Sequence, residues 1–162
     1  RMMKISTKGR YALRLMLDLA TYSTDGPVCL KDVARRQGIS DKYLEQIIAT
    51  LNKAGYVKSI RGAQGGYLLK RDPAEYTAGM ILRLTEGDLA PVSCVGEEKE
   101  DCARKPGCVT VRIWQQINDA VNDVVDHITL ADMLKWQTEI SGQKDGERPE
   151  RKAAKDPRGG LE

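Results

Sequence analysis

Apolar residues spaced three and four apart divide the first half of the chain into short amphipathic helices. The pattern predicts a first helix over residues 8–22, ended by the Asp25-Gly26-Pro27 turn. Its expected apolar face comprises Leu13, Met16, Leu17 and Ala20. Its expected polar side chains are Lys8, Arg10, Arg14 and Asp18.

Two further helices follow, separated by a turn of four residues. A short helix is expected over 30–37, with Gly38 in the left-handed position after its end. Ser40 is a good N-cap for a third helix that ends near Lys53. The buried face of that helix comprises Leu44, Ile47, Ile48 and Leu51. Two helices joined by a short turn containing glycine are typical of a helix-turn-helix.

Two β-rich runs come next, over 56–60 and 67–69. The loop between them, residues 61–66, contains three glycines that permit positive φ. Helix, turn, helix and hairpin follow one another in the order of a winged helix. We therefore expect a mostly α fold with a small β-hairpin, in which residues 3–87 form a winged helix-turn-helix DNA-binding domain closed by a helix from Thr77 to Gly87.

The second half of the chain holds an irregular segment and a long helix. Residues 88–108 show no periodicity and are expected to form a loop, whereas 109–127 are expected to be helical. The apolar stripe of that helix comprises Trp114, Ile117, Val121, Val124 and Ile128, broadened by Ile113, Ala120 and Val125. This stripe alternates steps of three and four, as in a coiled coil, so the helix is a candidate dimerisation element; packing against its own domain is the alternative.

The end of the chain is expected to be a short helix followed by a tail. Thr129 and Asp132 resemble a capping box, which predicts a helix to about Gln137 and completes a dimerisation region over 109–137. Residues 138–162 are rich in Lys, Glu, Gly and Pro, and we expect them to be disordered.

Charge is strongly segregated although the net charge is only +3. Residues 1–71 hold 14 Lys and Arg against 5 Asp and Glu, whereas residues 72–142 hold 6 against 13. A compact basic region is typical of proteins that bind a polyanion. The chain lacks an 18-residue apolar run, a secretory leader pattern, a Ser/His/Asp set and a phosphate-binding glycine loop, so we expect a cytoplasmic protein that is not an enzyme.

The third helix and the hairpin supply the candidate DNA-reading side chains. Gln46 can bond to adenine and Glu45 can accept from cytosine N4 in the major groove, while Arg61 at the base of the hairpin loop can enter a minor groove. Tyr43 has two interpretations: its hydroxyl reaches a phosphate, or its ring packs in the core. The predicted DNA-binding residues are Lys8, Arg10, Ser40, Lys42, Tyr43, Glu45, Gln46, Ser59 and Arg61. Lys4, Arg35, Arg36 and Lys58 are further candidates for phosphate contacts.

Several of these motifs resemble those of a known family. The opening run from Met3 to Ala12, the run Tyr43-Leu44-Glu45-Gln46, and Arg61-Gly62 with Gly65-Gly66-Tyr67 look like IscR-type transcription regulators, of the Rrf-two family. The resemblance covers residues 3–137. It implies a homodimeric winged-helix repressor or activator that binds a double-stranded DNA operator. It also implies a [2Fe–2S] cluster on three loop cysteines, received from the iron–sulfur assembly machinery, and control of iron–sulfur biogenesis genes.

Three of the four cysteines, Cys94, Cys102 and Cys108, lie within fifteen residues. Such clustering in a cytosolic protein indicates metal binding or redox chemistry rather than structural disulfides. The resemblance makes these three the cluster ligands, although the gap between Cys94 and Cys102 is two residues longer than the family's usual one. Cys29, which stands apart, is expected to be a small, semi-buried apolar residue.

The fourth cluster ligand is left open by the sequence. The family often has a histidine three residues after the last cysteine, and here that residue is Val111. His127 is about 28 Å away along the helix, so it is expected to serve the helix C-terminus instead. Other candidates are Glu97, Glu98, Glu100, Asp101 or a residue of a partner subunit. The alternative function is a thiol-redox or nitric-oxide-responsive regulator that holds no stable cluster.

Overall fold

The computed structural model describes residues 4–97 and 102–146. Within them it contains six α-helices and one two-stranded antiparallel sheet, as the apolar pattern predicts. The helices are α1 Thr7–Tyr22, α2 Leu30–Gln37, α3 Asp41–Lys53, α4 Ala78–Glu86, α5 Val111–His127 and α6 Leu130–Gly146. The strands are β1 Val57–Ile60 and β2 Gly66–Leu69. Single 3₁₀ turns lie at Ser23–Asp25, Pro73–Glu75, Ser93–Val95 and Lys105–Gly107.

Helix α1 lies at the centre of the hydrophobic core. Leu15, Met16 and Leu19 are fully buried, and they pack with the buried faces of the other helices and of β1. The predicted face of α1 was therefore only partly right, because Leu13 and Leu17 are half-buried. A helix that is enclosed by several neighbours buries more of its circumference than a surface helix does. The remaining large core side chains include Val33, Leu44, Ile47, Leu51, Val57, Tyr76, Ile81 and Leu130.

Asp18 of α1 is buried, and its assignment to the polar face was wrong. Its carboxylate accepts from Arg36 Nη2 at 2.7 Å and Nε at 3.0 Å, and from Gln37 Nε2 at 3.0 Å. The Arg36 guanidinium also lies over the Tyr22 ring, 4.0 Å from its centroid. A buried carboxylate is tolerated when its hydrogen bonds are met by a cation and an amide. This cluster joins α1 to the end of α2.

Helices α1 to α4 begin and end within one residue of the predicted bounds, whereas α5 begins at Val111 rather than at residue 109. The Ser40 hydroxyl accepts from the Tyr43 backbone N–H at 3.3 Å, and the Thr77 hydroxyl accepts from the Met80 N–H at 3.1 Å. Gly38 follows α2 with a φ of 63°, the left-handed conformation that glycine adopts without steric cost. The Ser40 cap and Gly38 fix the short turn between α2 and α3.

The hairpin pairs Val57 with Leu69 and Ile60 with Gly66 at its two ends. Its base is fixed by Tyr76, whose hydroxyl donates to the Tyr56 carbonyl at 2.7 Å and accepts from the Arg71 N–H at 3.1 Å. Burial raises the pKa of Tyr76 above its ordinary value, so the hydroxyl stays protonated and remains a donor. The wing is thereby tied to the residues that precede α4.

The C-terminal helix is longer than predicted. The capping box is confirmed, since the Thr129 N–H donates to Asp132 Oδ2 at 2.9 Å and the Asp132 N–H donates to the Thr129 hydroxyl at 3.1 Å. The helix then continues to Gly146, so the predicted end near Gln137 was wrong. The first nine residues of the predicted disordered tail, 138–146, are helical instead. The rest of the predicted tail, 147–162, lies outside the described residues.

Candidate nucleic-acid interface and cysteine segment

Helix α3 separates a buried face from an exposed one. Leu44, Ile47 and Leu51 are fully buried and Ile48 is nearly so, as predicted. The exposed residues, also as predicted, are Ser40, Asp41, Lys42, Glu45, Gln46 and Ala49. Because the buried face anchors the helix in the core, the exposed face is held in a fixed orientation.

The exposed polar side chains of α3 are available to a partner. Within the part of the chain that the structure describes, the side chains of Lys42, Glu45 and Gln46 make no hydrogen bond or ion pair. Tyr43 differs, because its ring is half-buried and packs edge-on against Tyr11, with centroids 5.6 Å apart and planes at 87°. The core-packing interpretation of the Tyr43 ring therefore describes its position.

The wing presents a second exposed polar set. Lys58, Ser59 and Arg61 are exposed on β1 and at the start of the loop that follows it. Strand β2 is also paired to Val28, two residues before α2, because Val28 N donates to Tyr67 O at 3.0 Å and Tyr67 N donates to Val28 O at 2.9 Å. A β-carbon at Gly66 would overlap the Val28 carbonyl, so only glycine fits this crossing. The wing is consequently fixed to the helix-turn-helix as well as to its own hairpin.

The start of α1 adds further positive charge. Lys8 is half-buried, whereas Lys4 and Arg10 are exposed, and Arg10 Nη2 donates to Thr7 Oγ1 at 3.2 Å. The helix is capped by Ser6, whose hydroxyl accepts from the Gly9 N–H at 3.2 Å. The carboxylate of Glu86, the last residue of α4, accepts from the Ser6 N–H at 3.1 Å and from its hydroxyl. The cationic first turn of α1 is thus tied to the end of α4.

Two arginines of α2 differ in their availability. Arg36 is engaged by buried Asp18, so its proposed phosphate contact was wrong; the hydrogen bonds that it donates to Asp18 raise its pKa further above the ordinary value. Arg35 pairs with Asp32 at 3.1 Å, and both side chains are more than half exposed. A surface pair of this kind is weak, so Arg35 remains available to a phosphate.

The three clustered cysteines lie on the segment between α4 and α5. Cys94 is half-buried in a 3₁₀ turn, Cys102 is exposed, and Cys108 is half-buried three residues before α5. In residues 4–97 and 102–146, no three Cys, His, Asp or Glu side chains converge as a metal-ligand group. Glu98, Glu100 and Asp101, named as possible fourth ligands, lie outside the described residues.

Cys108 has a thiol with a lowered pKa. Its pKa lies below the ordinary value because the Thr110 hydroxyl and then the Val111 backbone N–H bond to the sulfur. The Thr110 oxygen is 3.4 Å from Cys108 Sγ. Helix N-termini and hydrogen-bond donors favour a thiolate, which is both the nucleophilic and the metal-binding form. Val111 therefore contributes its backbone rather than a ligating side chain.

Cys29 and His127 lie away from this segment. Cys29 is exposed, so the expectation of a semi-buried apolar residue was wrong; it is the N-cap residue of α2, and this position faces solvent. His127 is the last residue of α5 and is exposed, and its Nδ1 lies 2.6 Å from the Asp123 carbonyl oxygen. That position fits the predicted role at the helix C-terminus.

Helix α5 leaves its apolar stripe partly uncovered, because Trp114, Ile117, Val121, Val125 and Ile128 are only half-buried. No residue of α5 is buried, and Ile113 and Val124 are more than half exposed. It is held to α4 by Arg83, whose guanidinium donates to Asp126 Oδ2 at 3.0 Å and to Asn122 Oδ1 at 2.8 Å. An apolar groove of 480 Å³ lies beside it, lined by Lys4, Ile5, Leu82, Leu89, Ala120, Val121, Val124 and Val125. No helix among the described residues is long and apolar enough to cross a membrane.

Comparison with known proteins identifies the family. Residues 5–136 match Rrf2, described as an iron-dependent transcriptional regulator. The transcriptional regulator CymR of Bacillus subtilis is 45% identical over 134 residues, which are 83% of this chain and 91% of that protein. The transcriptional regulator IscR of Photobacterium profundum is 39% identical over 145 residues, which are 88% of this chain and 83% of that protein.

Solved structures agree with the sequence comparison. The structure of B. subtilis CymR, described as the global cysteine regulator, superposes with a TM-score of 0.69 at 44% identity and covers 82% of this chain and 97% of that one. The structure of T. potens IscR superposes with a TM-score of 0.67 at 43% identity and covers 91% of this chain and 93% of that one. The relatives are named as transcription regulators and not as enzymes. The chain therefore belongs to the Rrf2 family of DNA-binding transcription regulators.

Proposed function

We propose that α3 is the recognition helix, lying in the major groove of an operator, and that Arg61 of the wing enters the adjacent minor groove. The observation that carries this proposal is the row of exposed side chains without partners, Lys42, Glu45 and Gln46, opposite a fully buried face. A rigid helix with free polar groups on one side is what base readout requires. We assign phosphate contacts to Lys8, Arg10 and the hydroxyl of Tyr43, whose ring packs against Tyr11, and we place Ser40 and Ser59 among the remaining DNA contacts.

Glu45 is the discriminating group of this interface. A carboxylate facing DNA is repelled by phosphates unless a cytosine amine pairs with it, so the wrong base leaves a desolvated charge unpaired. We expect the affinity of Glu45→Ala for its preferred duplex to change by less than about threefold. The discrimination between bases at one base pair should fall by about 1–3 kcal/mol. Affinities for a set of singly substituted duplexes measure this effect.

The control for Glu45 is Glu139→Ala, which removes the same charge from an exposed position on α6. It should leave every affinity ratio unchanged. If Glu45→Ala keeps the full preference for one base at every position of the duplex, then Glu45 does not read a base, and the proposed docking of α3 is contradicted.

The functional unit in this proposal is a homodimer joined through α5. The apolar stripe of that helix is only partly covered in one chain and the adjoining groove is open, and burial against a second copy removes them from water. A twofold dimer presents two recognition helices to two half-sites about one helical turn of DNA apart. Footprints of palindromic symmetry would support this arrangement.

The proposed sensor is the cysteine segment, with Cys94, Cys102 and Cys108 as the residues that would hold a [2Fe–2S] cluster. The donor chemistry fits, since three thiols lie in one segment and the pKa of Cys108 is lowered by its hydrogen bonds. A bound cluster supplies a redox-active, thiolate-ligated centre, through which the protein would regulate iron–sulfur biogenesis genes. The segment adjoins both α4 and α5. Reorganising it would therefore alter the relative placement of the two winged helix-turn-helix domains in the dimer.

A second candidate function, thiol-based sensing, is favoured by a separate observation. Cys102 is exposed and the pKa of Cys108 is lowered, which are the properties of thiols that oxidise readily. The B. subtilis relative is described as a global cysteine regulator. In this alternative the cysteines react with each other or with a small molecule, and no cluster is stable.

Absorbance of anaerobically reconstituted protein separates the two sensors. We expect visible charge-transfer bands with two irons and two sulfides per chain, lost on replacing Cys94, Cys102 and Cys108 by alanine. Cys29→Ala, which removes an exposed cysteine elsewhere, should retain the bands. Colourless wild-type protein that instead loses free thiols on oxidation would reject the cluster and support the alternative.

A further inference from the structure

Arg14 of α1 contacts the residue that ends α2. Its Nε donates to Gln37 Oε1 at 3.1 Å, and its Nη2 donates to the Gln37 backbone carbonyl. Gln37 is the last residue of α2, immediately before the Gly38 turn. The two bonds use the planar fork of the guanidinium, which a lysine ammonium cannot reproduce.

The same guanidinium also reaches the start of α3 through two aromatic rings. Arg14 lies over the Tyr11 ring at 5.4 Å from its centroid, and Tyr11 packs edge-on against Tyr43 at 5.6 Å. Tyr43 is in the first turn of α3, with its N–H bonded to the Ser40 hydroxyl. Arg14 thus contacts the end of α2 directly and is linked to the start of α3 through the Tyr11 ring.

The Gln37 side chain that receives Arg14 is itself fixed. Its Nε2 donates to Asp18 Oδ2 at 3.0 Å, beside the two bonds from Arg36, and Asp18 is 2% exposed. A polar network with every member bonded is rigid. The chain of contacts therefore runs from the core of α1 to both ends of the turn.

We propose that Arg14 is a positioning residue for DNA recognition: through Gln37 and Tyr11 it fixes the angle at which α3 leaves the turn, and so the placement of Lys42, Glu45 and Gln46 against the bases. This inference rests on the proposed use of α3 as the recognition helix. An exposed arginine in the basic region, residues 1–71, is also placed to contact a phosphate. However, its Nε and Nη2 donors are both engaged by Gln37, which sets Arg14 apart from Arg10 and Arg61.

The test is Arg14→Lys, which keeps the charge and removes the fork. The probes are a duplex selected from a random pool by the wild-type protein and a scrambled duplex of the same length. We expect affinity for the selected duplex to fall about tenfold, affinity for the scrambled duplex to change less than about twofold, and the salt dependence to stay the same because the charge is kept. Arg71→Lys is the control, because Arg71 is an exposed arginine that also lies over a tyrosine ring and has no assigned DNA contact; it should change neither affinity.

A double substitution identifies the route. If Arg14 acts through Gln37, Gln37→Ala reproduces most of the loss, and Arg14→Lys in that background adds little. Thermal unfolding of each variant, with the assays run well below the transition, separates misfolding from mispositioning. The inference is overturned if Arg14→Lys binds the selected duplex like the wild type. It is also overturned if the variant binds both duplexes equally more weakly, with a shallower salt dependence. A wild-type protein that selects no duplex overturns the proposed function itself.

Discussion

Asp18→Ala is expected to lower the free energy of unfolding by about 3 kcal/mol, because it removes the buried partner of a charged pair. The Asp18 side chain is fully buried, and it accepts three hydrogen bonds from Arg36 and Gln37. The Arg36 side chain is 24% exposed, so part of its charge can return to water and the loss stays at the lower end of the range for such pairs. A melting temperature lower by about 6–12 °C accompanies a loss of this size.

Asp32→Ala is the matched control for this prediction. Asp32 also pairs with an arginine of α2, but its side chain is 52% exposed and that of Arg35 is 76% exposed. Its removal should cost less than about 0.5 kcal/mol. Urea unfolding followed by circular dichroism measures both variants. Equal, small losses for Asp18 and Asp32 would show that the Asp18 cluster is open to solvent.

The second large effect is expected at the wing. Gly66→Ala would place a methyl group on the Val28 carbonyl, so β2 must move away and lose its two hydrogen bonds to residue 28. Overpacking of this kind costs about 1–3 kcal/mol and displaces backbone. Because Arg61 is carried by the same hairpin, affinity for the selected duplex should fall at least about tenfold, as read by fluorescence anisotropy.

The comparison variant for the wing is Ala63→Ser, which alters an exposed side chain of the same loop. It should bind DNA as the wild type does. If Gly66→Ala keeps full affinity while its fold is intact, then the position of the wing does not matter for binding and Arg61 is not a groove contact.

Local sequence patterns predicted most of the helices and the exposed face of α3. Those features depend on spacing within one element and on caps such as Ser40, Thr77 and Gly38, all of which act over a few residues. The division of α3 into buried and exposed residues followed from one helical period, which is why every member was placed correctly.

Features that depend on long-range contacts were missed. Asp18 looks polar in its own helix, and its partners Arg36 and Gln37 lie 18 and 19 residues away on α2. Its position three residues after buried Leu15 is the one signal that could have found it. The extension of α6 was missed because residues 138–146 carry a weak apolar pattern, whereas a helix that is already anchored by its cap and by the bond from Gln137 to Thr21 grows at little cost.

The arrangement of the cysteines could not be predicted for a different reason. Their segment has no period, so spacing along the chain does not determine which sulfurs approach one another. The lowered pKa of Cys108 depends on Thr110 and on the start of α5, and only the structure supplies that geometry. Val111 has no ligating side chain, so the fourth ligand also stays a prediction that spacing alone does not decide.

In the proposed mechanism, DNA binding by the α3 face and the wing is controlled from Cys94, Cys102 and Cys108. The most direct measurement is the anaerobic Kd for the selected duplex, compared between apo and iron–sulfide-reconstituted protein, for the wild type and for the triple alanine variant. We expect the Kd values of the two wild-type forms to differ by at least about tenfold, or about 1.4 kcal/mol, and those of the variant not to differ. Identical affinities for both wild-type forms would contradict it.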